Sequence, residues 1–132
     1  MSRLATLAGY ITINISSPNT EGLRDFHDQD EMKKLLSGLD KLVKEKKIDC
    51  PLSIKISPDI KDNDIGKIVE LVSKYNMQAI IVSNTTDSNR DSLSDIKKHE
   101  KGGLSGQPLK DISTNLIKKF YRETRGKIKI IG

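Results

Sequence analysis

Apolar residues recur along this chain in two alternating rhythms. Tyr10–Ile15 is a β-branched apolar run of strand character. From Asp30 to about Lys46, Met32, Leu35, Leu36, Leu39, Leu42 and Val43 share one helical face. A second strand is expected over Pro51–Ile56. A second helix is expected over Asp62–Tyr75, with Ile65, Ile68, Val69 and Val72 in register. Gln78–Ser83, rich in Ile and Val, reads as a third strand. A long polar stretch from Asn84 to Gln107 follows and carries Gly102, Gly103 and Gly106. Leu109, Ile112, Leu116, Ile117 and Phe120 predict a third helix from Leu109 to about Thr124, and Lys127–Ile131 a fourth strand. No linker and no internal repeat beyond this alternation divides the chain, which reads as a single domain over residues 1–132.

Strands alternating with helices predict right-handed βαβ units and a parallel sheet. Two of the strands carry polar residues on one face. Thr12 and Asn14 share a face, as do Ser53 and Lys55, while Ile11, Ile13 and Ile15, and Leu52, Ile54 and Ile56, point the other way. In a barrel the isoleucine face packs on the helices, and Asn14 and Lys55 converge on an interior site. The pattern alone admits equally a lysine snorkelling from an edge strand. The strands run out into Ser16-Ser17-Pro18-Asn19-Thr20, Ser57-Pro58-Asp59 and Ser83-Asn84-Thr85-Thr86. In a parallel α/β fold these loops lie on one side, where such folds place their chemistry.

Composition narrows the function classes. The chain has 132 residues, too few for a closed eight-fold barrel, which needs roughly 250. Charged residues make up 31% and no apolar run approaches the ~20 residues of a membrane span. Met1–Gly9 lacks the form of a secretory signal, and the lone Cys50 has no disulfide partner, which together predict an intracellular chain. The net charge of +5 comes from scattered lysines with acidic neighbours, as in Lys44-Glu45-Lys46-Lys47, and aromatic residues are few, so a nucleic-acid partner is not expected. One cysteine and two histidines, His27 and His99, offer no metal cluster.

Ser17 lies between the amide side chains of Asn14 and Asn19, an arrangement suited to binding a flat, amide-rich ligand and moving a proton from it. There is no G-x-S-x-G elbow and no nearby acid–histidine pair, which argues against acyl transfer. Taken alone, a Ser-Ser-Pro-Asn string also fits an ordinary hydrogen-bonded turn. Gly102-Gly103-Leu104-Ser105-Gly106 permits close backbone approach to a ligand or serves as a flexible connection, and it is not a Walker loop.

Together, Tyr10-Ile-Thr-Ile-Asn-Ile-Ser-Ser-Pro-Asn-Thr20, Gly22-Leu23-Arg24, Lys55 with Pro58-Asp59, Ser83-Asn84-Thr85-Thr86, the Gly102–Gly106 segment, Pro108-Leu109 and Ile130-Ile131-Gly132 resemble the dihydroorotate dehydrogenases. The resemblance runs across nearly the whole chain in matching order and spacing. It implies part of a (β/α)₈ (TIM) barrel, about four parallel strands alternating with three helices, that binds FMN and oxidises dihydroorotate to orotate in pyrimidine (UMP) synthesis. Serine at Ser17, where cytosolic members carry cysteine, implies the class 2 enzymes, which pass electrons to a quinone at a membrane.

By the same resemblance Ser17 takes the proton from carbon 5 of dihydroorotate while the hydride of carbon 6 passes to FMN. Asn14, Asn19, Asn84 and Thr85 hold the substrate. Asn14, Lys55, Ser83 and Gly106 contact the flavin. Ser83 stands where many members have threonine, a mild departure. The resemblance covers the middle of the family's length. The amino-terminal helices that form the quinone and membrane site, the early barrel strands and the loop that grips the FMN phosphate are expected to lie outside it. The full-length enzyme is then expected on the inner membrane as a peripheral protein, on the cytoplasmic face if bacterial and in the mitochondrion if eukaryotic. The 132 residues alone are expected to be inactive and prone to self-association. The alternative is a non-catalytic remnant of that enzyme that only self-associates.

Overall fold

Four strands pair in chain order into one parallel sheet: β1 (Ile11–Asn14), β2 (Leu52–Ile56), β3 (Ala79–Val82) and β4 (Lys129–Ile131). The computed structural model describes residues 1, 3–88, 90, 91 and 93–132. Three helices connect the strands: α1 (Gln29–Lys46), α2 (Asp62–Lys74) and α3 (Gln107–Thr124). Among the described residues, β1 and β4 each keep one unpaired edge, so the sheet is not closed.

The sheet register sorts side chains by face. Ile13, Ile54, Ile80 and Ile130 lie side by side across the four strands, and Asn14, Lys55, Ile81 and Ile131 form the next layer on the opposite face. The isoleucine face is the core. Ile54, Ile56, Ile80 and Val82 pack with Met32 and Leu36 of α1, Ile65, Ile68 and Val72 of α2, and Leu116 and Phe120 of α3. This is the apolar face expected of strands covered by helices. On the other face the Thr12 and Ser53 hydroxyls are 2.9 Å apart and hydrogen-bond across the strands. Because β2 lies between β1 and β3, Lys55 is on an interior strand, which removes the edge-strand reading of that lysine.

The helix starts follow from local chemistry. The Asp28 carboxylate caps α1 by accepting from the amides of Asp30 at 2.9 Å and Glu31 at 3.4 Å. Pro108 lies in the first turn of α3, where its missing amide costs nothing, so that helix begins at Gln107 rather than at Leu109. The strands are a residue or two shorter than the apolar runs. The backbone bonds nevertheless continue past them, with the Ile15 amide on the Lys55 carbonyl at 3.3 Å and the Asn84 amide on Ile56 at 2.9 Å.

Two features had no periodic signal. Leu23–His27 and Ile96–His99 are short 3-10 turns. The polar stretch between β3 and α3 is also more ordered than its composition implies. Thr86 and Leu104 pair as an antiparallel bridge, and the Arg90 guanidinium donates to the carbonyls of Lys98, Glu100 and Gly102. Asn89 and Ser92 of this stretch lie outside the described residues. Among the described residues, no helix is long and apolar enough to cross a membrane, and no group of three or more metal-ligating side chains forms.

Candidate active site

The carboxyl ends of β1 and β3 meet through three side chains. Asn14, the last residue of β1, uses its amide oxygen to accept from the Ser16 amide at 3.1 Å and from the Ser16 hydroxyl at 2.9 Å. The Asn84 side-chain nitrogen donates to the same Ser16 hydroxyl at 3.0 Å, and the Asn84 amide oxygen accepts from the Thr85 amide at 2.8 Å. Ser16 is fully buried. Asn14 faces solvent, and Asn84 and Thr85 are half-buried. Lys55 is the register partner of Asn14, so both leave the sheet on the same face. Lys55 is half-buried, and no ion pair among the described residues includes it.

Ser17 forms the next turn. Its hydroxyl oxygen accepts from the Asn19 amide at 3.3 Å and from the Thr20 hydroxyl at 3.4 Å. Both bonds stabilise negative charge on that oxygen, and no acceptor among the described residues takes the Ser17 proton. The turn expected of Ser-Ser-Pro-Asn is therefore present, and it leaves the hydroxyl able to exchange its proton with a ligand or water. The Asn19 side chain is exposed and outside the Asn14–Ser16–Asn84 network.

The glycine segment closes on this turn. A Cβ at Gly103 would fall 1.8 Å from the Thr85 hydroxyl, 2.5 Å from the Thr85 Cβ and 3.3 Å from Pro18, so only glycine lets the segment approach both loops. Gly106 is farther along, at the start of α3 with φ +79°, and no hydrogen bond among the described residues joins its neighbours to the cluster. The Ser83 hydroxyl donates to the Asn84 carbonyl at 3.0 Å, and the Val82–Ser83 peptide is cis.

Behind the cluster a charged link ties all three loops together. The Arg24 guanidinium pairs with Asp59 at 3.1 Å and Asp87 at 2.7 Å, and it donates to the Thr85 carbonyl at 3.4 Å. Asp59 also accepts from the hydroxyls of Thr86 and Ser57. The Arg24 hydrogen bond, more than any other influence, holds the Asp87 carboxyl below its usual range. His27 lies beside this link. Its Nε2 accepts from the Ser57 amide at 3.1 Å, so Nδ1 carries the proton and donates to the Arg24 carbonyl at 3.0 Å. Burial lowers the His27 pKa below 6.5, with the nearby Arg24 charge acting in the same direction. Sequence spacing gave no warning of the roles of Ser16, His27 or Thr86.

Two open cavities flank the cluster. One of about 660 Å³ borders the Ser17 turn through Pro18, Asn19 and Glu21 and is otherwise lined from Asp87 to Gly102. The other, about 530 Å³, lies on the helix side between His27, Asp28, Asp64 and Lys67 and shares only the Arg24–Asp59 link with the cluster. Asn14 and Lys55 leave the sheet on its other face.

A family model described as dihydroorotate dehydrogenase matches residues 1–132. The dihydroorotate dehydrogenase (quinone) of Shewanella amazonensis is 42% identical over 137 residues, covering 100% of this chain and 40% of its own length. That of Synechocystis is 38% identical over 136 residues, covering 98% of this chain and 35% of its own length. The crystal structure of Eimeria tenella DHODH in complex with ferulenol superposes with a TM-score of 0.90 at 32% identity, over 98% of this chain and 39% of that one. The chain thus spans well under half the length of these relatives, and its open sheet corresponds to part of a TIM barrel. With the family model matched from end to end and the fold superposed on a solved member, the chain belongs to the dihydroorotate dehydrogenase family.

Proposed function

We propose that this chain supplies the substrate-facing part of a quinone-type dihydroorotate dehydrogenase, with Ser17 as the base that takes the proton from carbon 5 of dihydroorotate. The observation that carries this reading is the joining of Asn14, Ser16 and Asn84 beside the Ser17 turn and over the Lys55 layer. Asn14, Asn19, Asn84 and Thr85 hold the pyrimidine ring and its carboxylate. The Asn19 amide and Thr20 hydroxyl steady the charge that Ser17 gains as it gives up its own proton to water.

The residues fit FMN. Lys55 presents a half-buried cation outside the ion pairs of the described residues, beside the Asn14 amide. Such a charge suits the electron-rich edge of a flavin that becomes anionic on reduction. Lys55, Asn14 and the backbone of Ser83 and Gly106 would hold it. FMN, when bound, supplies the acceptor for the hydride of carbon 6. The names of the relatives support a quinone as final acceptor, and a lipid-soluble acceptor favours a membrane surface as the working place of the whole enzyme.

The test is a chimera in which residues 1–132 replace the matching segment of the Shewanella amazonensis enzyme. The expected product is yellow and bleaches with dihydroorotate, and Lys55→Ala lowers both its flavin content and its rate of reduction. A folded, flavin-loaded chimera that dihydroorotate does not bleach overturns the reading.

A further inference from the structure

We infer that Ser16 is a positioning residue that ties together the two amides facing the ligand, so that both are held with N–H donors outward. The inference deepens the proposed function and rests on its assignment of Asn14 and Asn84 to the ligand. Two backbone amides fix the orientations. The Ser16 amide requires the Asn14 oxygen to point toward it, and the Thr85 amide does the same for the Asn84 oxygen. The Asn84 nitrogen therefore donates to the Ser16 hydroxyl, whose own proton goes to the Asn14 oxygen. One hydroxyl accepts from one amide and donates to the other, and its full burial keeps water from substituting for either bond.

The consequence is a donor surface. Both N–H groups of Asn14 and one of Asn84 have no protein acceptor among the described residues. The Asn14 oxygen is filled by two donors, and the Asn84 oxygen is engaged by the Thr85 amide. A ligand meeting this pair gains most from acceptors, carbonyl or carboxylate oxygens, and a donor-rich edge is disfavoured. Ser16, fully buried between the two amides, holds this arrangement from behind.

The test uses the chimeric enzyme that carries residues 1–132, ¹⁵N-labelled, and reads the side-chain amide signals of Asn14 and Asn84 by NMR, free and during titration with orotate. Ser16→Ala is expected to speed exchange of the Asn84 side-chain protons by about tenfold, the scale of one buried hydrogen bond, and to weaken orotate binding by a similar factor. Ser16→Cys separates bonding from packing, because a thiol fills the space but is a poor donor and acceptor. It should behave as Ser16→Ala does if the bonds matter. Wild-type exchange in both variants overturns the inference, as does orotate binding at wild-type strength. Failure of the parent chimera to show any orotate-induced shift at Asn14 or Asn84 counts instead against the proposed function. The exchange comparison still decides the role of Ser16.

Discussion

Ser17 and His27 sit in differently built hydrogen-bond surroundings. Ser17 accepts two hydrogen bonds and gives none within the described residues, which eases the loss of its own proton. In the chimeric enzyme, Ser17→Ala is expected to slow flavin reduction by dihydroorotate by a factor of roughly 10² or more, the scale of lost general-base catalysis. Ser17→Cys should keep part of the rate. Stopped-flow bleaching of the flavin measures both, and near-normal reduction in the alanine variant removes Ser17 from the mechanism.

His27 is held neutral, because its Nε2 must stay unprotonated to accept from Ser57 and burial disfavours its cation. A histidine with a lowered folded pKa binds fewer protons in the folded state than in the unfolded one. Its contribution to stability is complete above its ordinary value of 6.5 and is lost as pH falls below that value and through the folded pKa. The melting temperature is therefore expected to fall as pH is lowered from 7 to below 6, more steeply in the parent than in His27→Gln. Parallel profiles by circular dichroism would show that the ring contributes nothing to this dependence.

At the scale of elements, the strands and helices could be read along the chain because their periods are local. Met32 and Leu36 in α1 and Ile54 and Ile56 in β2 are buried where the apolar spacing put them. The two 3-10 turns carry no such period. The connection between β3 and α3 reads as a polar loop because its order comes from long-range bonds, such as Arg90 to Gly102 and Thr86 to Leu104. The candidate site reads along the chain as three polar loops on one side, but the links within it do not. Ser16 and Asn84 are 68 residues apart, and Arg24 and Thr85 are 61 apart. Nothing in local spacing distinguishes Ser16, fully buried, from Ser17, which is half-buried.

Gly103 is the tightest point of that connection. Gly103→Ala places a methyl group against Thr85 and is expected to lift the glycine segment, costing about 1–3 kcal/mol of local stability, the usual range for overpacking. Hydrogen exchange at the Leu104 amide, bonded to the Thr86 carbonyl, should rise with it. Unchanged protection there would mean that Thr85 moves aside at little cost.

At the scale of the molecule, the open sheet sets the behaviour of the isolated chain. β1 and β4 each present an unpaired edge, and Leu4, Leu7, Tyr10 and Ile131 are exposed. Free edges and apolar surface of this kind favour association. The 132 residues on their own are expected to self-associate and to leave dihydroorotate unoxidised, since catalysis depends on the whole constellation being held in place. Sedimentation and a flavin-bleaching assay read the two outcomes, and a monomer that turns over would show that four strands suffice.

The strand order has a consequence for how the chain reaches this state. Every strand neighbours the one before it in sequence, so none has to wait for a distant segment to find its place. As the polypeptide leaves the ribosome, β2 can dock on β1 once α1 has emerged, and β3 and β4 can follow in the same way. Assembly that proceeds from the amino end, unit by unit, keeps the loop to be closed short at each step. The growing edge, together with the free side of β1, is then the part of the sheet that must stay shielded from other chains.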